Sequence, residues 1–247
     1  MHEEKILLPS NGVFYENIPT ELTIRSLTTS EEQLLYGSTS DTTIDRIIGN
    51  CIVEPKNYPI DELIPADKMF VLMKIRILTY GQMYNQYVYC PYCNYEGITS
   101  VDLDTLPCEE ISEDLKVPLK LTLKFSKDEV ELRVLTEKDY KNIKSRASKI
   151  SKKLGIPFSQ VEHKLRFARQ IKAVNGVELD SYAAEKYYQD MNVRDVRYVE
   201  SALASIKVGY QGMLECNCPS CKKELTAPFE MTSEFLMPTF QDDDFWN

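Results

Sequence analysis

Two short stretches hold the residues of this chain best suited to chemistry: Cys90-Pro-Tyr-Cys93 and Cys218-Pro-Ser-Cys221. Laid on one another, CPYCNYEGITSVDL and CPSCKKELTAPFEM share more than their cysteines. Each opens on C-P-x-C, turns through polar residues and leaves on a strand-like run. One C-x-x-C is a weak signal; two with the same proline and the same exit form a strong one. Two thiolates from each tight turn supply four soft ligands, the donor set of a tetrahedral Zn²⁺ site. The pattern predicts that Cys90, Cys93, Cys218 and Cys221 share one structural zinc, tying the middle of the chain to its end. Residues 94–217 then form a large insertion closed by metal. Four thiolates leave no open position for water or substrate, so such a site is not catalytic.

Three other readings of these cysteines stand beside zinc. A redox dithiol lacks its usual βαβ context here. An iron–sulfur cluster and unpaired thiols are the remaining two. Cys216, two residues before Cys218, competes as a ligand, but the match of Pro219 to Pro91 favours Cys218. Cys51 and Cys108 read as buried, inert thiols.

No catalytic constellation accompanies the cysteines. The two histidines, His2 and His163, lie at a terminus and inside a basic helix, with no pattern that makes either part of a metal motif. There is no phosphate-cradling loop and no G-x-S-x-G, and glycine is scarce at nine residues. The basic stretch 141–153, KNIKSRASKISKK, reads first as a solvated helix face and second as an electrostatic docking surface.

The elements that must position the cysteines can be read from periodicity. Residues 1–27 look extended, with a turn at Ser10-Asn11-Gly12. Thr29 with Glu32 fits a capping box opening a short helix, and a second helix spans 42–53 with Ile44, Ile47, Ile48 and Cys51 on one face. Residues 65–80, PADKMFVLMKIRILTY, read as a central core helix with Pro65 in its first turn. Residues 116–135 alternate as a hairpin about Ser126-Lys127-Asp128. A helix follows from a Thr136/Asp139 capping box, and another is capped by Ser159 with Glu162. Asn175-Gly176 marks a tight hairpin between 171–174 and 177–179, Asp180 caps a helix over 181–190, and a last helix covers 193–206. Strands near 210–216 and 224–231 frame the second cysteine turn.

The fold class expected is therefore α+β: a mainly helical body with short antiparallel strands and a zinc-ribbon-like module built from the two C-P-x-C turns. Its divisions are 1–85, N-terminal strands and core helices; 86–115 with 208–240, the zinc module; 116–207, an inserted hairpin and helical region; and 241–247, an acidic tail tipped by Trp246, the only tryptophan.

The chain has 247 residues, 43% hydrophobic and 27% charged, which suits one large or two modest domains. No run of about 18 apolar residues exists to span a bilayer. The start, MHEEKILLPS, lacks the shape of a signal peptide, which points to the cytoplasm. Seven cysteines in that compartment favour metal or free thiols over disulfides. A net charge of −9 argues against a nucleic-acid binder, whose surface would be basic.

The opening LPSNGVFYE, the LTIRSLTTSEEQLL segment, IIGNCI, the ADKMFVLMKIRILTYG helix and the first CPYC stand in an order that resembles a family of tailed-phage proteins. The later NGVELD, DVRYVESAL, CPSC and EFLMP continue it. The family is that of baseplate hub and tail-assembly proteins of T-even-type and Mu-like contractile phages, and the likeness covers nearly all of residues 6–238. Its least generic parts are LPS-x-G-x-x-Y and the paired C-P-x-C turns. Where the family often has glycine after each cysteine pair, this chain has Asn94 and Lys222. The resemblance implies a non-enzymatic hub component or hub-assembly factor, made in the host cytoplasm or carried in the virion, with other baseplate and tail proteins as partners. The alternative, from the residues alone, is a zinc-ribbon nucleic-acid-binding or regulatory protein.

Overall fold

A computed structural model describes residues 2–37, 40–112, 115–228 and 233–237. The acidic tail 241–247 lies outside them. The class is the expected one, α+β, with helices packed on several small antiparallel sheets.

The N-terminal layer is a three-stranded sheet covered by helices. Strands β1 (Glu3–Leu7) and β2 (Glu21–Arg25) pair antiparallel with Ile6 opposite Leu22, and β3 (Ile52–Glu54) adds to the other side of β2. Ile6, Leu22 and Ile24 face inward against helices α1 (Thr29–Gly37), α2 (Asp41–Cys51) and α3 (Pro65–Tyr80). Two expectations shift here. The helix expected to reach residue 53 stops at Cys51, because the β-branched pair Ile52-Val53 goes to the sheet edge instead. The reach-back at the start of α1 comes from Glu31, not Glu32: its carboxylate accepts from the Thr28 N–H at 2.9 Å and from the Thr28 hydroxyl.

Helix α3 is the core helix, with Val71, Leu72, Met73 and Ile75 buried. It also buries Asp67 completely. Asp67 accepts from the Ser10 N–H at 3.1 Å, the Ser10 hydroxyl at 2.5 Å and the Tyr15 hydroxyl at 2.5 Å, while the Tyr15 oxygen accepts from the Ile64 N–H at 2.9 Å. This gives LPS-x-G-x-x-Y a physical meaning. Leu8 fills the core, Ser10 and Tyr15 satisfy the buried carboxylate, and Gly12 makes the bend between them at φ +77°, where a Cβ would meet Thr20 at 2.7 Å.

Two hairpins carry the cysteine turns, one in the middle of the chain and one toward its end. Strands β4 (Met83–Tyr89) and β5 (Glu96–Asp102) pair in full register, and so do β12 (Met213–Asn217) and β13 (Glu224–Pro228). Between them, β6 (Cys108–Glu109) pairs with β11 (Gly209–Tyr210), so the chain leaves for the inserted region and returns from it at one place. Cys108, expected to be buried, is half-buried in β6 because a two-residue ladder covers only part of it.

The inserted region holds a four-stranded sheet in the order β10-β9-β8-β7, with β7 (Leu119–Thr122), β8 (Glu129–Leu132), β9 (Ile171–Val174) and β10 (Val177–Glu178). Leu123, Val130, Leu132 and Ile171 pack with Phe167 and Val199 from α5 (Phe158–Gln170) and α7 (Val193–Ala204). Asn175 and Gly176 turn β9 into β10 with φ +50° and +78°, as an Asn-Gly turn requires. The Thr136–Asp139 capping box opens α4 (Glu137–Leu154), and Asp180 caps α6 (Ser181–Asp190). Ser159 does not cap α5: the cap position is Pro157, which has no side chain able to accept a bond. Helix α7 ends at Ala204 rather than 206.

The basic stretch in α4 is not simply a solvated face. Lys141 pairs with Asp45 and Asp61, Lys144 reaches Asp41 at 3.4 Å, and Arg146 reaches Glu185 at 2.5 Å. Just before them, Glu137 binds Lys68 at 2.9 Å, and Lys68 binds Asp45 at 2.6 Å. The first turns of α4 are thereby fastened to the N-terminal layer by charge.

Candidate metal centre

Each cysteine pair sits in the six-residue turn closing one hairpin. The turn 90–95 is framed by Tyr89 opposite Glu96, and the turn 218–223 by Asn217 opposite Glu224. The backbone closes both alike. The Cys90 N–H donates to the Tyr95 carbonyl at 2.8 Å and the Asn94 N–H to the Cys90 carbonyl at 2.9 Å; Cys218 with Lys223, and Lys222 with Cys218, repeat the two bonds at 2.9 Å each. Pro91 and Pro219 fix φ just after the first cysteine of each turn. The residue after the second cysteine takes the left-handed conformation, Asn94 at φ +56° and Lys222 at φ +60°. This left-handed conformation is the one glycine adopts most readily, and both turns keep it without a glycine.

The hairpins lie side by side, with the Thr99 hydroxyl donating to the Asn217 carbonyl at 3.2 Å. Val88 and Leu225 pack behind Cys90 and Cys218. The sulfurs of Cys90, Cys93, Cys218 and Cys221 all lie within 4.8 Å of one another. Cys90 and Cys221 are 3.7 Å apart, and Cys93 and Cys218 are 3.6 Å apart. A disulfide needs sulfurs about 2.05 Å apart, so these are not disulfides. A tetrahedron of thiolates around one Zn²⁺ at about 2.3 Å has edges of about 3.8 Å. The four cysteines fit a single ion of that size. An iron–sulfur cluster, in which separate irons take the thiolates, spreads its cysteines more widely. Cys216 lies outside the group, on β12 opposite Leu225.

The electrostatics of the group suit a cation. Burial opposes a Cys218 thiolate, but the N–H groups of Cys221 and Ser220 aimed at its sulfur, with the Cys90 and Cys93 thiols, prevail and hold its pKa below that of an ordinary thiol. The Lys223 N–H favours a Cys221 thiolate, yet burial and the crowding thiols outweigh it and push that pKa above the ordinary thiol value. Sulfurs this close cannot all ionise together unless positive charge sits among them, which is what a divalent ion supplies.

Away from the cysteines, several charged side chains are occupied with each other. A cleft of about 720 Å³ opens between residues 13–16 and helices α4, α5 and α6. On its walls Asp139 holds both Arg133 and Arg169, and Glu185 holds Arg146. His163 bridges Glu200 at 3.0 Å and the Tyr188 hydroxyl at 3.2 Å, joining α5 to α7 and α6. Sequence reasoning passed over Asp67 and the Asp45–Lys68–Lys141 group. The only signal for Asp67 was that it is the one acid in the core helix.

The fold and the site define an α+β protein whose two zinc-ribbon-like hairpins converge on four cysteines able to hold one metal ion. Residues 1–237 match the family described as T4 bacteriophage base plate protein, and the chain belongs to that family. No curated protein and no solved structure matches it. The family gives the chain a structural role in a phage baseplate. No helix among the described residues is long and apolar enough to cross a membrane.

Proposed function

We propose that this chain is a non-enzymatic component of the baseplate hub, or a factor that assembles it, in a contractile tail of the T-even or Mu-like kind. It joins other tail proteins through its surface and acts in the host cytoplasm during assembly, staying in the virion if it is a hub component and not if it is an assembly factor alone. The observation that carries the reading is the family match over 1–237.

Its structural metal would be Zn²⁺, held by Cys90, Cys93, Cys218 and Cys221. The ion's part is to pin two hairpins together. The part of this chain is to present four sulfurs at tetrahedral spacing, bury Cys90 and Cys218, and direct backbone N–H groups at the sulfur of Cys218. In this reading residues 86–115 and 208–240 form one metal module, with Phe235 and Leu236 reaching back into the N-terminal core, and 116–207 is an inserted unit. The pairing of β6 with β11 at its base supports that division.

The test is fractionation of infected cells with an antibody to this chain. The proposal expects it in tail or baseplate intermediates. Its absence from every such intermediate ends the hub reading, whatever its metal content.

A further inference from the structure

We propose that this protein associates head to tail with copies of itself, the basic tip of α4 and α5 on one copy seating on the acidic, tyrosine-bearing face of the β4–β5 hairpin on the next. The inference stands on charge and exposure, and does not rest on the baseplate reading.

Charge is segregated along the chain. Residues 137–170 hold ten Lys and Arg against three Asp and Glu, a net +7, in a chain of net −9. Residues 77–115 hold seven Asp and Glu and no Lys or Arg, a net −7. Much of the basic charge is used internally, by Lys138, Lys141, Lys144 and Arg146. Lys149, Lys152 and Lys153, toward the far end of α4, have no ion pair among the described residues. Next to them Leu154 is 60% exposed and Phe158 37% exposed. An uncompensated cationic cluster around two exposed apolar side chains is therefore the tip of this pair of helices.

The hairpin offers the complement. Alternation puts Tyr84, Val88 and Val101 on its inner face and Met83, Tyr87, Tyr89 and Ile98 on its outer one. Tyr87 and Ile98 are a direct cross-strand pair, 61% and 59% exposed, and Tyr89 is 55% exposed. Glu96, opposite Tyr89, and Asp102, opposite Met83, give the face its negative edge. Exposed tyrosine rings with neighbouring carboxylates suit lysines, by cation–π contact and by charge. The chain already makes one such contact, Lys223 lying 4.2 Å from the centre of the Tyr92 ring.

Both halves of the contact belong to one chain, which is why a second copy is the occupant argued for. The two surfaces differ, so the contact is heterologous. Such a contact propagates, closing into a ring where the rotation permits and running on where it does not. Its charged share weakens as salt rises, because the screening length falls from about 10 Å at 0.1 M to about 3 Å at 1 M.

The test is sedimentation velocity of the full chain over a range of concentrations at about 0.05 M and about 1 M NaCl. Species larger than a dimer are expected at low salt and monomer at high salt. Lys152→Glu with Lys153→Glu, and separately Tyr87→Ser with Ile98→Ser, are each expected to give monomers. Mixed in equal amounts, the two variants should form a dimer and stop, since each keeps one intact surface. Wild type that is monomeric at low salt overturns the proposal, whether or not it binds another tail protein. So does association that survives either double variant, or a mixture that stays monomeric. If a double variant fails to fold, the single exposed changes Leu154→Ser and Glu96→Lys carry the same expectations.

Discussion

At the scale of single residues, the two cysteine turns invite a direct comparison. Asn94 and Lys222 occupy the same left-handed position. Asparagine tolerates that conformation, while a lysine there costs on the order of 1 kcal/mol because its Cβ crowds the backbone. Lys222→Gly should raise stability by about 0.5 kcal/mol or more and Asn94→Gly should do less, both read from urea midpoints. A loss on Lys222→Gly would mean that its side chain has a task of its own. Glu31 offers a test by pH. The Arg25 guanidinium, bonded to both carboxylate oxygens, outweighs burial and with Thr28 holds Glu31 down to about 2. Its contribution is full above the ordinary value of 4.5 and is lost as pH falls through about 2. The wild type should therefore lose stability more steeply than Glu31→Gln between those values. Parallel curves would show that the pair contributes nothing.

At the scale of elements, the joint between α2, α3 and α4 depends on Asp45. Burial works against its carboxylate, but Lys141 and Lys68 together keep its pKa low. Asp45→Ala leaves Lys68 with Glu137 alone and Lys141 with Asp61 alone. A loss of about 2 kcal/mol is expected, below the usual cost of orphaning a buried charge because each lysine keeps one partner. An unchanged urea midpoint would show the joint to be held by packing. The same elements show what a sequence can and cannot disclose. The Thr136–Asp139 box, the Asn175-Gly176 turn and the Asp180 cap were legible because local backbone chemistry decides each one. The end of α2 and the start of α5 were not. Ile52 was drawn off by β2, a partner distant in sequence, and α5 begins after Pro157 with no side-chain cap to announce it. The cysteine set was legible because it repeats. The Ser10–Tyr15–Asp67 contact was not, since it joins residues more than fifty positions apart whose types gave no hint of meeting.

At the scale of the whole molecule, a metal at the four cysteines would make stability depend on something outside the polypeptide. The native protein should carry one zinc per chain with four protected thiols. Prolonged chelation should release it and lower the melting temperature by several degrees or more, and Cys221→Ser should lower it without chelator. A metal-free native protein with freely reactive thiols, or a variant melting with the wild type, would remove the zinc. Packing behind the sulfurs is small, centred on Val88 and Leu225, and the Thr99–Asn217 bond and the Lys223–Tyr92 contact are the other links between the two hairpins described above, so the metal's share should be visible.

The two-residue ladder of β6 and β11 has a consequence for how such a protein can change over time. Cys108 stands opposite Tyr210, so the hundred or so residues between them begin and end at adjacent points. Material threaded through that gate can lengthen, shorten or be exchanged while the two cysteine turns stay where they are. A lineage could then vary what it presents to its neighbours and keep the clasp unaltered.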